Sequence, residues 1–309
     1  MSDIARAEAI LRAACGDRVR ASFAMAPLTT FRIGGSAALY LEPESEADLA
    51  AAAQAVAEGE IAFVVIGKGS NVLVSDRGFD GLVIRLGRGY RWAARDGDRL
   101  TAGGSMPLPA LAGVALRHAL EGLAFGVAIP ATLGGAVKMN AGAHGGQMAD
   151  VLVDIEVFRL EDGRVDRVPA AAAGFSYRHS ELPSDAVVTG ARFELRPGDP
   201  PVIRAAMDEA REWRRRTQPL AEPNCGSVFK NPVDGHAARS IEEAGLKGTR
   251  VGGAQISVKH ANFIVADEGA RADDVLTLID LVRRTVQAHS GIVLEPEVQL
   301  IGGFDRVSG

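Results

Sequence analysis

Five consecutive residues, Gly67-Lys68-Gly69-Ser70-Asn71, combine two glycines, an ammonium, a hydroxyl and an amide. Successive backbone N–H groups in such a turn can form a nest around a diphosphate, with Lys68 adding charge. The same composition also makes an ordinary tight turn with no ligand. A second segment, Pro130-Ala131-Thr132-Leu133-Gly134-Gly135-Ala136, continues to Asn140-Ala141-Gly142-Ala143 and sets small residues and amide donors in an apolar stretch. Backbone bared in this way suits a flat, partly apolar cofactor, and the alternative is a glycine-rich packed core. Three further spots join polar groups to apolar surroundings. They are Tyr177-Arg178 before a turn at Pro183, Ser227 and Lys230-Asn231 within NCGSVFKNP, and Glu295 and Glu297 within LEPEV. Taken singly, these read as a surface arginine, a turn serine and a strand-edge glutamate.

Other chemistries lack support. The histidines His118, His144, His179, His236, His260 and His289 form neither H-x-x-x-H nor H-E-x-x-H, so no histidine metal site is expected. There is no G-x-S-x-G elbow of the α/β-hydrolase kind. Cys15 and Cys225 are two thiols far apart, too few for a disulfide framework or a zinc site, and Cys225 is expected to be a small buried packing residue.

The elements that must position these groups follow from periodicity. ESEADLAAAAQAVA at 44–57 reads as a helix ending at Gly59. IAFVVI then reads as a buried strand leading into the glycine turn. Two more strand-like runs follow around Asp76-Arg77-Gly78, where a Rossmann or P-loop fold has a helix. Ser105 to Glu121 reads as a helix with Ser105 as N-cap and Gly122 as its stop. The stretch from Gly122 to Gly146 is too glycine-rich for a regular helix or strand, and 151–198 alternates as strands. The breaker cluster Pro197-Gly198-Asp199-Pro200-Pro201 marks a boundary near 200. Beyond it lie a helix from IRAAMDEAREWRRRTQ, a short helix at Ala238 to Ala244, strands at QISV and NFIV, and a helix at 272–289.

The chain has 309 residues, 47% hydrophobic and 24% charged, with a net charge of −5. That is enough for about two or three domains and a substantial core. The acidic balance argues against a general nucleic-acid binder, because phosphate neutralisation needs a basic face. No apolar run approaches the ~18 residues of a membrane span, and the N-terminus lacks a secretory apolar stretch, so a cytoplasmic protein is expected. Arginines greatly outnumber lysines, leaving only Lys68, Lys138, Lys230, Lys247 and Lys259. Each surviving lysine is therefore more informative than usual.

In order, the motifs TTFRIGG, GKGSN, IPATLGGAVKMNAGA, YRHSEL, NCGSVFKNP, AGLKGTRVGGAQISVKHANFIV and LEPEVQLIG closely resemble the UDP-N-acetylenolpyruvoylglucosamine reductase family (UDP-N-acetylmuramate dehydrogenase), from about Pro27 to Gly302. The resemblance implies an α+β protein. It expects an N-terminal helix (1–20), a two-lobed FAD-binding domain of the vanillyl-alcohol-oxidase and p-cresol-methylhydroxylase type (21–200, lobes about 21–85 and 86–200), and an α+β substrate domain (201–309). It assigns noncovalent FAD to Gly67, Lys68, Gly69, Ser70, Asn71, Pro130, Thr132, Gly134, Gly135, Asn140 and Gly142. NADPH is implied as hydride donor to FAD, whose N5 then passes hydride to the enolpyruvyl methylene carbon of a UDP-sugar in peptidoglycan precursor synthesis. By similarity, Arg178 and Glu297 stabilise the enolate-like charge, Ser227 protonates the adjacent carbon, and Tyr177, Lys230 and Asn231 line the substrate pocket. Only a short stretch separates Arg178 from AVVTGARFEL, as in the shorter subtype that lacks a tyrosine-bearing insertion. Arg214, Arg215 and Gln218 are candidates for the UDP diphosphate, the alternative being a solvated basic helix face. The expected state is a monomer. A flavin oxidase with another substrate, or a non-catalytic nucleotide-sugar sensor, are the competing readings.

Overall fold

The computed structural model describes residues 2–304; the outermost parts of the expected domain ranges, residue 1 and 305–309, lie outside them. The chain folds into two compact units. The first comprises 1–21, 39–68 and 81–214, and the second 22–38, 69–80 and 215–309.

In the first unit, the helix Ile4–Cys15 packs on Glu46–Gly59 through Ala7 and Leu11 against the alanine and leucine face of its partner. Ser45 and Asp48 form a capping box that starts the second of these helices. A four-stranded sheet has the order Val19–Ala24, Ser36–Leu41, Phe79–Ile84, Ala62–Val65, and its parts in the first unit are 19–21, 39–41, 81–84 and 62–65. Its last pair is parallel, with Ala62 opposite Gly81. The run IAFVVI, expected to be buried, is instead an edge strand with Val65 37% exposed, because it closes the sheet order.

A second sheet of five antiparallel strands runs Val165–Pro169, Leu152–Arg159, Ala186–Glu194, Arg99–Gly103, Ala93–Asp96. Leu100, Ile155, Val157 and Phe193 from its strands share a core with Leu108 and Leu111 of the helix Leu108–Arg117 and with Leu133, Ala136 and Val137 of the helix Leu133–Lys138. The helix predicted from Ser105 to Glu121 is thus shorter at both ends. Ser105 does not cap it but donates its hydroxyl to Gly87 O at 2.7 Å. At the other end Ala119 turns left-handed, with φ 53°, so that Leu120–Glu121 can pair with Arg196–Pro197. The glycine-rich stretch also holds a regular helix, Leu133–Lys138, because Thr132 caps it by accepting from Gly135 N. The helix Pro200–Thr217 sets Ile203, Met207 and Ala210 against Ala112, Val127 and Ala128.

The second unit centres on the helix Ala272–Ser290, whose Val275, Ile279, Val282 and Val286 form the stripe expected from periodicity. It covers the antiparallel strands Arg250–Val251, Ala254–Ile256 and Ile264–Ala266. Val72–Val74 pairs in parallel with Gln299–Ile301 near the C-terminus. The glycine turn is therefore followed by strands at Val72–Val74 and Phe79–Ile84 and not by a helix, as the sequence predicts. Among the described residues no helix is long and apolar enough to cross a membrane.

Candidate active site

In the first unit, Gly67 and Thr132 come together. A Cβ at position 67 would stand 2.3 Å from Thr132 Oγ1, so a side chain there would displace the hydroxyl that caps the helix Leu133–Lys138. The Pro130–Gly135 segment is tied to the turn after the strand Arg99–Gly103 by Leu133 N donating to Met106 O at 2.8 Å and Gly134 N to Gly104 O at 2.9 Å. Gly134 is a close-approach glycine, since its Cβ would meet the carbonyls of Val188 and Gly104 at 3.2 and 3.3 Å. Gly135 is different. It is exposed, has no unusual φ, and its Cβ would meet only Thr132 Oγ1 at an ordinary 3.6 Å. A glycine inside a helix costs up to about 1 kcal/mol relative to alanine, and packing does not require this one. Backbone left open at such a position fits a cofactor lying against it. Pro130 and Lys68 are likewise exposed, whereas Gly142 pairs with Gln147 in a hairpin turned at His144 and Gly145.

Asn140 is 2% exposed and its amide is spent within the unit. It donates to Gln147 Oε1 at 3.1 Å and Ser176 O at 3.0 Å, and accepts from Ala149 N at 3.0 Å. Any part it plays toward a cofactor falls to its backbone. Arg178 sits on the turn Ser176–His179, to which Asn140 is bonded through Ser176 O; the turn is closed by a pair of main-chain hydrogen bonds, and Arg178 has φ 57°. Its guanidinium lies 5.1 Å from the ring centre of Tyr177, which is half exposed.

Gly69, Ser70, Asn71, Ser227, Lys230, Asn231 and Glu297 belong to the second unit. Gly69 has φ 63° and lies so close to Leu28 O that a Cβ would come within 2.1 Å. Its carbonyl accepts from Thr30 N at 3.0 Å, which links the TTFRIGG motif to the glycine turn. Asn71 donates its amide to Glu297 O at 3.1 Å, and Gln299 N donates to Asn71 O at 3.0 Å.

The segment after Ser227 runs antiparallel to the one that carries Glu297. Phe229 bridges Pro296, and Glu297 N donates to Val228 O at 2.7 Å. Ser227 and Glu297, far apart in the sequence, are thereby placed on neighbouring segments. Lys230 N donates to Glu295 O at 2.9 Å, and its ammonium pairs with Glu295 Oε1 at 2.7 Å. Asn231 Oδ1 accepts from Ala237 N at 3.1 Å, at the start of the helix Ala237–Glu243. Burial pushes the Cys225 thiol well up from its ordinary value, and the Glu297 carboxylate adds to the shift. Cys225 is thus an inert, buried thiol next to an acidic group, in keeping with a packing role.

Sequence reasoning missed two groups. Asn262, 4% exposed, accepts from Phe229 N at 2.9 Å and donates to Phe229 O at 2.8 Å, so it holds the serine strand from its other side. Lys138 donates to Leu182 O and Pro183 O at 3.2 and 2.6 Å. The scarcity of lysine was a signal for the second; nothing local marked the first.

A family profile described as "UDP-N-acetylenolpyruvoylglucosamine reductase, C-terminal domain" matches residues 218–301, and one described as "FAD binding domain" matches 37–168. The UDP-N-acetylenolpyruvoylglucosamine reductase of Heliobacterium modesticaldum is 49% identical over 276 residues, covering 89% of this chain and 88% of its own. A reductase of the same name from Methylorubrum extorquens is 43% identical over 296 residues, covering 94% and 95%. The crystal structure of UDP-N-acetylenolpyruvylglucosamine reductase from Thermus caldophilus superposes with a TM-score of 0.79 at 38% identity, covering 92% of this chain and 99% of that one. The α+β architecture and the FAD-binding domain expected from the motifs are thus confirmed. The chain belongs to the UDP-N-acetylenolpyruvoylglucosamine reductase family of flavin-dependent oxidoreductases.

Proposed function

We propose that the protein reduces the enolpyruvyl group of UDP-N-acetylglucosamine enolpyruvate to give UDP-N-acetylmuramate in peptidoglycan precursor synthesis, with NADPH as donor. The observation that carries the reading is the backbone pairing of Val228 with Glu297, which sets a hydroxyl-bearing and a carboxylate-bearing segment side by side. FAD, when bound, would supply the chemistry of hydride transfer from NADPH to the methylene carbon. Within the first unit, Gly67, Gly134, Gly135 and Gly142 would hold that group by backbone approach, with Thr132 and Lys68 beside them.

Once hydride has been added, negative charge develops on the adjacent carbon and its carboxylate. Arg178 offers two parallel N–H donors to that carboxylate, a pairing that strengthens as the charge grows. The Ser227 hydroxyl gives its proton to the carbon. A serine is a weak acid, so it serves only because the acceptor is carbanion-like and the hydroxyl is held in place. Glu297 shares in stabilising or protonating the enol, and Tyr177, Lys230 and Asn231 line the substrate pocket. The substrate and donor are cytoplasmic metabolites, and two buried free thiols suit that reducing compartment.

The test separates the half-reactions. Ser227→Ala should keep NADPH bleaching of the flavin and lose reoxidation by the enolpyruvyl substrate. Normal turnover by this variant would remove the serine from the mechanism.

A further inference from the structure

Arg178 occupies a left-handed backbone conformation that a non-glycine residue holds only when its surroundings impose it. Its own turn supplies two main-chain bonds, between Ser176 and His179 at 3.1 and 3.2 Å. The rest comes from the end of the helix Leu133–Lys138. Upstream of Arg178, the Asn140 amide donates to Ser176 O at 3.0 Å. Downstream, Ser180 Oγ donates to Lys138 O at 2.8 Å, and the Lys138 ammonium donates to Leu182 O and Pro183 O.

Two features speak against mere packing. Both donors of the Asn140 amide are used, on Ser176 O and Gln147 Oε1, and its oxygen accepts from Ala149 N, so its orientation is determined on both faces. Lys138 is half-buried, and burial lowers its pKa. A half-buried ammonium directed at two carbonyls is an expensive way to fill space and an effective way to fix a loop. The same helix bears Gly134 and the open Gly135, and is itself bonded at Gly104 and Met106 to the turn that leaves the strand Arg99–Gly103.

We propose that Asn140 and Lys138 are positioning residues for Arg178, fixing the arginine turn to the helix that carries the cofactor-facing glycines. The proposal rests on the reading that Arg178 meets the substrate carboxylate. It makes the arginine's place a property of the glycine segment, so that the guanidinium is aligned with the flavin before substrate arrives.

The experiment compares Asn140→Gly, Lys138→Met and Arg178→Lys, singly and with each of the first two combined with the third. Glycine at 140 keeps the positive φ of 40° without strain while deleting the amide. The FAD-loaded proteins are reduced by NADPH and reoxidised by the enolpyruvyl substrate under rapid mixing. Hydrogen exchange of 176–183 is followed in parallel. Both positioning variants should slow reoxidation at least tenfold more than reduction, exchange faster at 176–183, and add less than threefold to the loss caused by Arg178→Lys. Equal slowing of both half-reactions, fully multiplicative losses, or unchanged exchange at 176–183 overturns the proposal. Arg178→Lys reoxidising at the parent rate overturns instead the assignment of Arg178 on which the proposal stands, a result read from the single variant alone.

Discussion

The side-chain amide of Asn262 occupies the place of a strand neighbour to Phe229, accepting from its N–H at 2.9 Å and donating to its carbonyl at 2.8 Å. With Glu297 N bonded to Val228 O on the other side, the serine-bearing segment is held from both edges. Replacement by leucine leaves a buried donor and acceptor unmet, each at a cost of about 1–3 kcal/mol. Asn262→Leu is expected to lower the stability of the whole chain by about 2–4 kcal/mol in urea unfolding, and to slow reoxidation in whatever folds. A stability loss below about 0.5 kcal/mol, the range of an ordinary surface substitution, would show that the clamp is dispensable.

Gly135 separates cofactor contact from folding. Alanine there meets no steric obstacle within the protein, and helix propensity favours it by up to about 1 kcal/mol. Gly135→Ala is therefore expected to leave the FAD-free protein as stable or slightly more so, while FAD affinity falls at least tenfold in a fluorescence titration. Unchanged affinity would mean that no cofactor lies against this backbone.

Arg178 is the residue whose charge geometry the reaction uses most directly. Lysine keeps the charge but loses the bidentate fork. Arg178→Lys should reduce the rate of reoxidation by about 10²–10³-fold, the usual cost of removing one preorganised donor at a developing oxyanion. NADPH bleaching should change far less. Single-turnover mixing with each reactant in turn gives both numbers.

Acid should loosen the second unit through His260. Burial lowers its pKa below the ordinary 6.5, opposed by its own backbone hydrogen bond. Its Nδ1 accepts from Asn262 N at 3.3 Å, so the neutral ring is the form that supports the clamp. Below pH 6.5 the unfolded chain takes up a proton that the folded chain resists, and stability falls as pH drops. Urea midpoints between about pH 7.5 and 5.5 should decline in the parent protein and decline less steeply in His260→Asn. Identical slopes would assign the decline to other groups.

What the sequence made legible was set by local physics. Ser45 and Asp48 announce their helix, and the valines of 275–286 announce theirs, because caps and periodicity act within a few residues. The turn at 67–71 declared its unusual continuation for the same reason. The helix predicted from Ser105 ended early because Ala119 and Leu120 answer to Arg196 and Pro197, far along the chain. Within the site, the motif positions are those the family resemblance implies. The devices that place them were not legible, since Asn262 reaches Phe229 across 33 residues and Asn140 reaches Ser176 across 36. An asparagine that substitutes for a strand neighbour has no pattern of its own.

The most direct test of the account is the visible spectrum of the purified protein through one catalytic cycle without oxygen. A yellow protein that bleaches with NADPH and recovers its oxidised spectrum on addition of UDP-N-acetylglucosamine enolpyruvate is the predicted result. Bleaching without recovery would contradict the proposed substrate, and a colourless protein that cannot be reconstituted with FAD would contradict the flavin chemistry itself.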